Sequence, residues 1–210
     1  MILAIETAVE RVGVAVGDAD GARASAMLSS DRRHAESLAP MIRFVLAQAG
    51  LGVRDVDQIA VDSGPGLFTG MRVGISTAQS MAWALDVPVI PVCSLDAIAF
   101  GAGAGEDTVA VALDARRGEV YLAVYERTGA ATEPRVLVPP AVMSPEDAAI
   151  AIADRGETAL CLGTGFIRHA DVFDANPWVV PGPAGQSSGA KNVGLSARSD
   201  PMPRNLKSMS

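Results

Sequence analysis

Between the short apolar run Gln58-Ile59-Ala60-Val61 and a long helical pattern lies the stretch Asp62-Ser63-Gly64-Pro65-Gly66-Leu67-Phe68-Thr69-Gly70-Met71-Arg72-Val73-Gly74. A strand, a glycine-proline loop and then a helix start is the local grammar of an α/β protein, in which helices cover a sheet. Backbone N–H groups left unpaired at a helix N-terminus attract anions. The stretch therefore poses a choice. Either Ser63, Gly64, Gly66 and Thr69 contact a ligand, or the loop only aims the helix that follows it.

The flanking sequence fills in the rest of the sheet. Ile2–Ile5 and Arg11–Val16 read as two strands, and Ala22–Ser29 as a third after the turn cluster Gly17–Gly21. From His34 the period changes. Leu38, Met41, Ile42, Val45 and Leu46 form one helical stripe that stops at Gly50, with Pro40 near the start of the pattern, where a missing N–H costs least. Thr69 is the expected N-cap of a second helix running to Leu85, with Met71, Ile75, Ala78, Ala82 and Leu85 as its apolar stripe. Gly70, Gly74 and Ala78 recur every four residues along it. Glycine inside a helix costs about 1 kcal/mol against alanine, so this row points to another backbone approaching closely. Val87–Val92 is the next strand and Ser94–Phe100 a short helix, giving βββ-α-β-α-β-α over residues 1–100.

Beyond Gly101–Gly105 the order recurs in outline. Val109–Asp114 and Glu119–Tyr125 flank Ala115-Arg116-Arg117-Gly118 as a hairpin, and Arg135–Val138 adds a strand. Ser144-Pro145 opens a helix, and Thr158–Leu162 is a strand ending in Gly163-Thr164-Gly165. Two βββαβ-type halves, the second incomplete, indicate an α/β chain with the two-lobed fold of the actin/sugar-kinase/Hsp70 (ribonuclease H-like) class. The expected division is an N-terminal lobe over 1–100, a C-terminal lobe over 101–175, and an atypical tail over 176–210. The tail is rich in Gly, Pro and Ser and is expected to be mostly disordered.

Chemistry is constrained mainly by what is scarce. The net charge of −7 argues against a broad nucleic-acid surface, and the body carries most of the acid: six Lys/Arg against twelve Asp/Glu over 101–175. No apolar run is long enough for a membrane span, and the N-terminus shows no signal-peptide pattern. Cys93 and Cys161 each sit in an apolar run and are expected to be buried, reduced thiols, which fits a cytoplasmic location. The only histidines, His34 and His169, form no His-x-x-x-His pair, and no metal site is expected. Glu6 and Asp62 end neighbouring strands, but no histidine base accompanies Ser63 or Thr69, so no catalytic residue is assigned. The loop lacks the lysine of an NTP-binding motif, and no cofactor is expected.

Five blocks in order carry a resemblance: Ile2–Ala8, His34–Ile42, Ser63–Gly74, Cys93–Ala99 and Leu113–Tyr121. Together they are similar to the TsaB family over about residues 1–125, with a weaker echo to about 170. The resemblance implies a glycoprotease-like protein without catalytic residues of its own, the partner of TsaD in bacterial synthesis of threonylcarbamoyladenosine at position 37 of tRNA. It implies TsaD and the ATPase TsaE as partners, a possible homodimer when alone, tRNA contact only through the complex, and no membrane. TsaD holds its metal through a His-x-x-x-His pair, which this chain lacks. The resemblance also implies that the two N-terminal helices form the partner interface, through His34, Leu38, Met41, Ile42, Val45, Gly70, Met71, Gly74, Ile75 and Ala78. On that expectation Gly74→Arg abolishes docking and leaves the subunit folded. The alternative in a different class is an ATP-binding kinase or ATPase of the same fold, with Gly163-Thr164-Gly165 as its nucleotide turn.

Overall fold

The computed structural model describes residues 1–29, 34–102, 107–127 and 134–182. These fall into two compact units, one over Met1–Cys93 and one from Ser94 onward.

In the first unit, β1 (Ile2–Glu6), β2 (Arg11–Asp18), β3 (Gly21–Ser29), β4 (Gln58–Gly64) and β5 (Val89–Cys93) form one sheet in the order β3-β2-β1-β4-β5. β1 runs antiparallel to β2, with Ile5 opposite Val14, and parallel to β4, with Ile5 opposite Val61. The period-2 pattern explains one face: Leu3, Ile5, Val12, Val14, Val16, Ile59 and Val61 form a single core. Helices α1 (His34–Gln48) and α2 (Phe68–Leu85) close over it with Leu38, Ile42, Val45, Leu46, Ala78 and Ala82. Burying a valine, leucine or isoleucine side chain contributes roughly 1.5–3 kcal/mol, which makes this stripe the anchor of both helices. Ala4, Ala15 and Ala60, on the opposite face, are buried too, so these central strands read as continuous apolar runs rather than alternating ones.

The second unit repeats the plan. β6 (Thr108–Arg116), β7 (Glu119–Glu126), β8 (Arg135–Met143), β9 (Ala159–Leu162) and β10 (Val179–Pro181) pair in the order β8-β7-β6-β9-β10. The senses match as well: two antiparallel pairs, then β6–β9 and β9–β10 parallel. This doubled sheet order is that of the expected fold class. Helices α3 (Ser94–Phe100), α4 (Pro145–Ala153), α5 (Thr164–Arg168) and α6 (Ala170–Phe173) complete the unit. α3 packs on β6 and β7, where the Tyr125 hydroxyl donates to Asp96 Oδ1 at 2.6 Å. At the start of α4, Ser144 Oγ accepts from the Asp147 amide at 3.1 Å and Pro145 takes the first position, as the sequence predicts.

Several local expectations are corrected. Pro40 lies well inside α1 rather than in its first turn, on an exposed position where the carbonyl left without a donor faces water. Thr69 is not the N-cap: α2 starts at Phe68, its cap is Leu67, and no side chain caps it. β4 continues through Asp62, Ser63 and Gly64, which shortens the loop to Pro65-Gly66-Leu67. β8 runs on through Pro139-Pro140, which fall where its register against β7 shifts, on a sheet edge that needs no outward N–H. The second half holds more structure than expected, since α5, α6 and β10 follow β9. Residues 183–210, most of the expected tail, lie outside the described residues, as do 103–105 of the expected boundary. Among the described residues no helix is long and apolar enough to cross a membrane.

Candidate functional site

The Asp62–Gly74 stretch is bound into its own unit. Asp62, fully buried, accepts the Gly64 amide on Oδ1 at 2.7 Å, and Ser63 Oγ donates to the Val92 carbonyl at 3.0 Å. The Leu67 amide donates to the Ala8 carbonyl at 2.6 Å, and Gly66 lies so close to that carbonyl that a Cβ would overlap it. Glycine is required at 66 by this approach. Ser63, Gly64 and Gly66 thus hold the loop against the turn after β1, and their polar groups serve the fold. Thr69 is exposed on the first turn of α2.

The small-residue row of α2 turns inward. Gly70, Gly74, Ala78 and Ala82 are its buried residues. Thr7 Oγ1 donates to the Gly70 carbonyl at 2.8 Å. A Cβ at Gly74 would overlap Thr7 Oγ1 and lie 3.6 Å from Ile5 Cγ2. The close approach that the row implies is therefore to β1 of the same unit. This corrects the reading of Gly70, Gly74 and Ala78 as residues that let two subunits pack. Leu38, Ile42 and Val45 of α1 are likewise core residues. Met41 and Ile75 are partly buried against that core, and Met71 is half-buried beside Gly64. His34 begins α1, and its side chain lies outside the described residues.

The large apolar side chains left outward on the two helices are all aromatic. Phe44 on α1 is 55% exposed, and on α2 Phe68 is 62% and Trp83 85% exposed. Arg72 stacks on Phe68, its guanidinium carbon 4.0 Å from the ring centroid. The chain has nine aromatic residues in all, and three of them lie exposed on one pair of touching helices, Phe68 at the start of α2 and Trp83 in its last turn. Sequence reasoning missed all three because it followed the buried stripes. The usable signal was their phase: Trp83 sits beside the Ala78–Ala82–Leu85 stripe, not on it.

The polar chemistry elsewhere is closed. Glu6 is buried and accepts the Ala8 amide on Oε1 at 2.7 Å, so both strand-end acids, Glu6 and Asp62, serve the turns that follow them. Gly163 (φ 106°) and Gly165 both press on Ala112, which fits that turn to helix–strand packing. Burial pushes the Cys161 thiol up to about 12, leaving it inert near neutral pH. Among the described residues no group of three or more His, Cys, Asp or Glu side chains is placed to hold a metal.

Comparison with known proteins places this geometry. The family model described as TsaD, tRNA N6-adenosine threonylcarbamoyltransferase, matches residues 28–160. The tRNA threonylcarbamoyladenosine biosynthesis protein TsaB of Haemophilus influenzae is 35% identical over 184 residues, covering 83% of this chain and 76% of that protein. The protein of the same name from Escherichia coli is 40% identical over 128 residues, 60% of this chain and 55% of its own length. The solved structure of YeaZ from Pseudomonas aeruginosa superimposes with a TM-score of 0.85 at 31% identity, covering 98% of this chain and 96% of that one.

Proposed function

Because the chain belongs to the TsaB family, we propose that it acts in tRNA threonylcarbamoyladenosine biosynthesis as a subunit without catalytic residues, docking TsaD through the outer faces of α1 and α2. The observation that carries this reading is the exposed aromatic set Phe44, Phe68 and Trp83 on helices whose inner faces are already satisfied by their own sheet. Aromatic residues with an arginine beside them are the usual energetic centre of a protein contact. The inner residues Leu38, Ile42, Val45, Gly70, Gly74 and Ala78 support the interface indirectly by fixing where those faces point. TsaE joins the pair, and a homodimer through the same faces forms when TsaD is absent.

The reading of a subunit without catalytic residues is supported by the strand-end carboxylates. Both carboxylates are buried, and each gives one oxygen to a backbone amide of the turn that follows it, a structural use that supports this reading. The kinase reading rests on the Gly163–Gly165 turn, where the two glycines are taken up by contact with Ala112.

Titration calorimetry with TsaD tests the docking. Trp83→Glu puts a charge on the outer face of α2 and is expected to weaken binding by at least 100-fold, about 3 kcal/mol, with the helix content of the free subunit, read by circular dichroism, unchanged. Wild-type affinity in that variant would remove α2 from the interface.

A further inference from the structure

The β6–β7 hairpin is built in a way its own stability does not call for. Arg116, Arg117 and Gly118 all have positive φ, at 66°, 56° and 80°. Left-handed backbone suits glycine or asparagine, and tight hairpin tips are ordinarily Asn-Gly or Gly-Gly. Here two successive arginines occupy it. The pairing passes from Asp114 opposite Val120 to Arg116 opposite Glu119, so Ala115 is an inserted residue, a bulge of the kind that re-aims side chains.

Asp114 organises the result. Its side chain is 11% exposed. Oδ1 accepts the Arg116 amide at 3.0 Å, while Oδ2 lies 3.8 Å from Arg116 Nε and 3.4 Å from Arg168 Nε at the end of α5. Both arginines thus meet the one carboxylate through Nε, with 58% and 61% of their side chains exposed. Their terminal amino groups are left for another oxyanion. Thr164 Oγ1, accepting from the Asp114 amide at 3.3 Å, places an exposed hydroxyl beside them. Arg116 and Arg168 meet here and Arg117 follows at the exposed tip, so three of the six arginines of residues 101–175 belong to this hairpin and the end of α5, in a stretch with twelve acids.

We propose that Arg116 and Arg168, held on Asp114, together with the exposed Arg117 at the hairpin tip, form a phosphate-binding fork for the RNA backbone, so that this chain touches the tRNA directly. The proposal rests on the reading of the chain as a subunit of the tRNA-modifying assembly. Guanidinium groups held in place match phosphate in a bidentate way that a mobile lysine does not. The tip residues Ala115-Arg116-Arg117-Gly118-Glu119 expose charge without the large apolar area that the core of a protein contact requires, which favours RNA over an acidic protein segment. The strain at Arg117 is retained because the guanidinium is useful at that spot.

The test measures binding of a fluorescently labelled, unmodified tRNA transcript to the assembly of this chain with TsaD, across a salt series. Arg117→Gly and Arg168→Gln are the variants. Each is expected to reduce the slope of log K against log salt by about 0.7–0.9, so that wild type loses about threefold more affinity than the variant over a fourfold rise in salt. Both variants keep docking TsaD, and Arg117→Gly melts at a higher temperature than wild type while binding RNA more weakly. An unchanged slope with docking intact overturns the fork. Loss of TsaD docking in either variant means that the arginines face an acidic protein surface, and overturns it as well. Failure of the wild-type chain to bind TsaD at all is a different result: it removes the docking reading and, with it, this site.

Discussion

Gly74→Ala separates the two places in which the α2 row could serve, because they predict opposite signs. If Gly74 faced a partner subunit, its replacement would only improve helix propensity, stabilising the free chain by about 1 kcal/mol. In the structure the added methyl meets Thr7 Oγ1, a short, fully buried side chain that donates to the Gly70 carbonyl at 2.8 Å and has no open direction to swing towards. Moving Thr7 costs about 1 kcal/mol for the hydrogen bond, and overpacking against Ile5 adds about 1–3 kcal/mol. Less the propensity gain, the net is a loss of about 1–3 kcal/mol. For a chain of this size that lowers the melting temperature by roughly 2–12 °C. Scanning calorimetry on the free subunit reads it, and the Thr7→Ala background sharpens it, since removing the hydroxyl makes room for the methyl and the pair becomes non-additive. A rise in melting temperature for Gly74→Ala in the wild-type background would refute the inward placement. By the same geometry Gly74→Arg unfolds the subunit, so loss of docking in that variant carries no information about the interface.

Three further outcomes follow from named contacts. Gly66→Ala places its methyl on the Ala8 carbonyl, a backbone atom that cannot rotate away, and is expected to cost about 3 kcal/mol, read as a lower urea midpoint. Tyr125→Phe removes the 2.6 Å bond to Asp96 and leaves that carboxylate short of a donor, for a loss of about 2 kcal/mol by the same titration. Cys161 keeps its proton in the folded chain up to about 12, against 9.0 for a free thiol, so its contribution to stability is complete below pH 9.0 and falls as pH rises from there towards 12. Cys161→Ala should flatten that alkaline loss, and in wild type Cys161 should resist thiol reagents until the chain unfolds.

The architecture was legible because most elements announce themselves by period. The strands around Leu3, Val14 and Ile59 and the helical stripe from Leu38 to Leu46 were found in their places, and the recurrence of their order revealed the doubled sheet. Where the elements are short, period fails: α5 and α6 have five and four residues, and β10 has three, too few to show a repeat. Direction was the other loss. A glycine row at every fourth position states that something comes close, but not what, and only the contact with Thr7 shows that it is the subunit's own strand. For the same reason the outward aromatics stayed hidden, since Trp83 and Phe44 gain meaning only once the opposite faces of their helices are seen to be filled. The hairpin strain at Arg116 and Arg117 has no trace in composition at all; it is a property of backbone angles.

The most direct measurement is reconstitution of tRNA modification from TsaD, TsaE, the adenylate-forming enzyme and unmodified tRNA, with this chain present, absent, or replaced by its Trp83→Glu variant. Docking through the outer helix faces predicts modification with the wild-type chain, and a matching loss without it and with the variant. Undiminished modification in the absence of the chain, or full activity with Trp83→Glu, would contradict it.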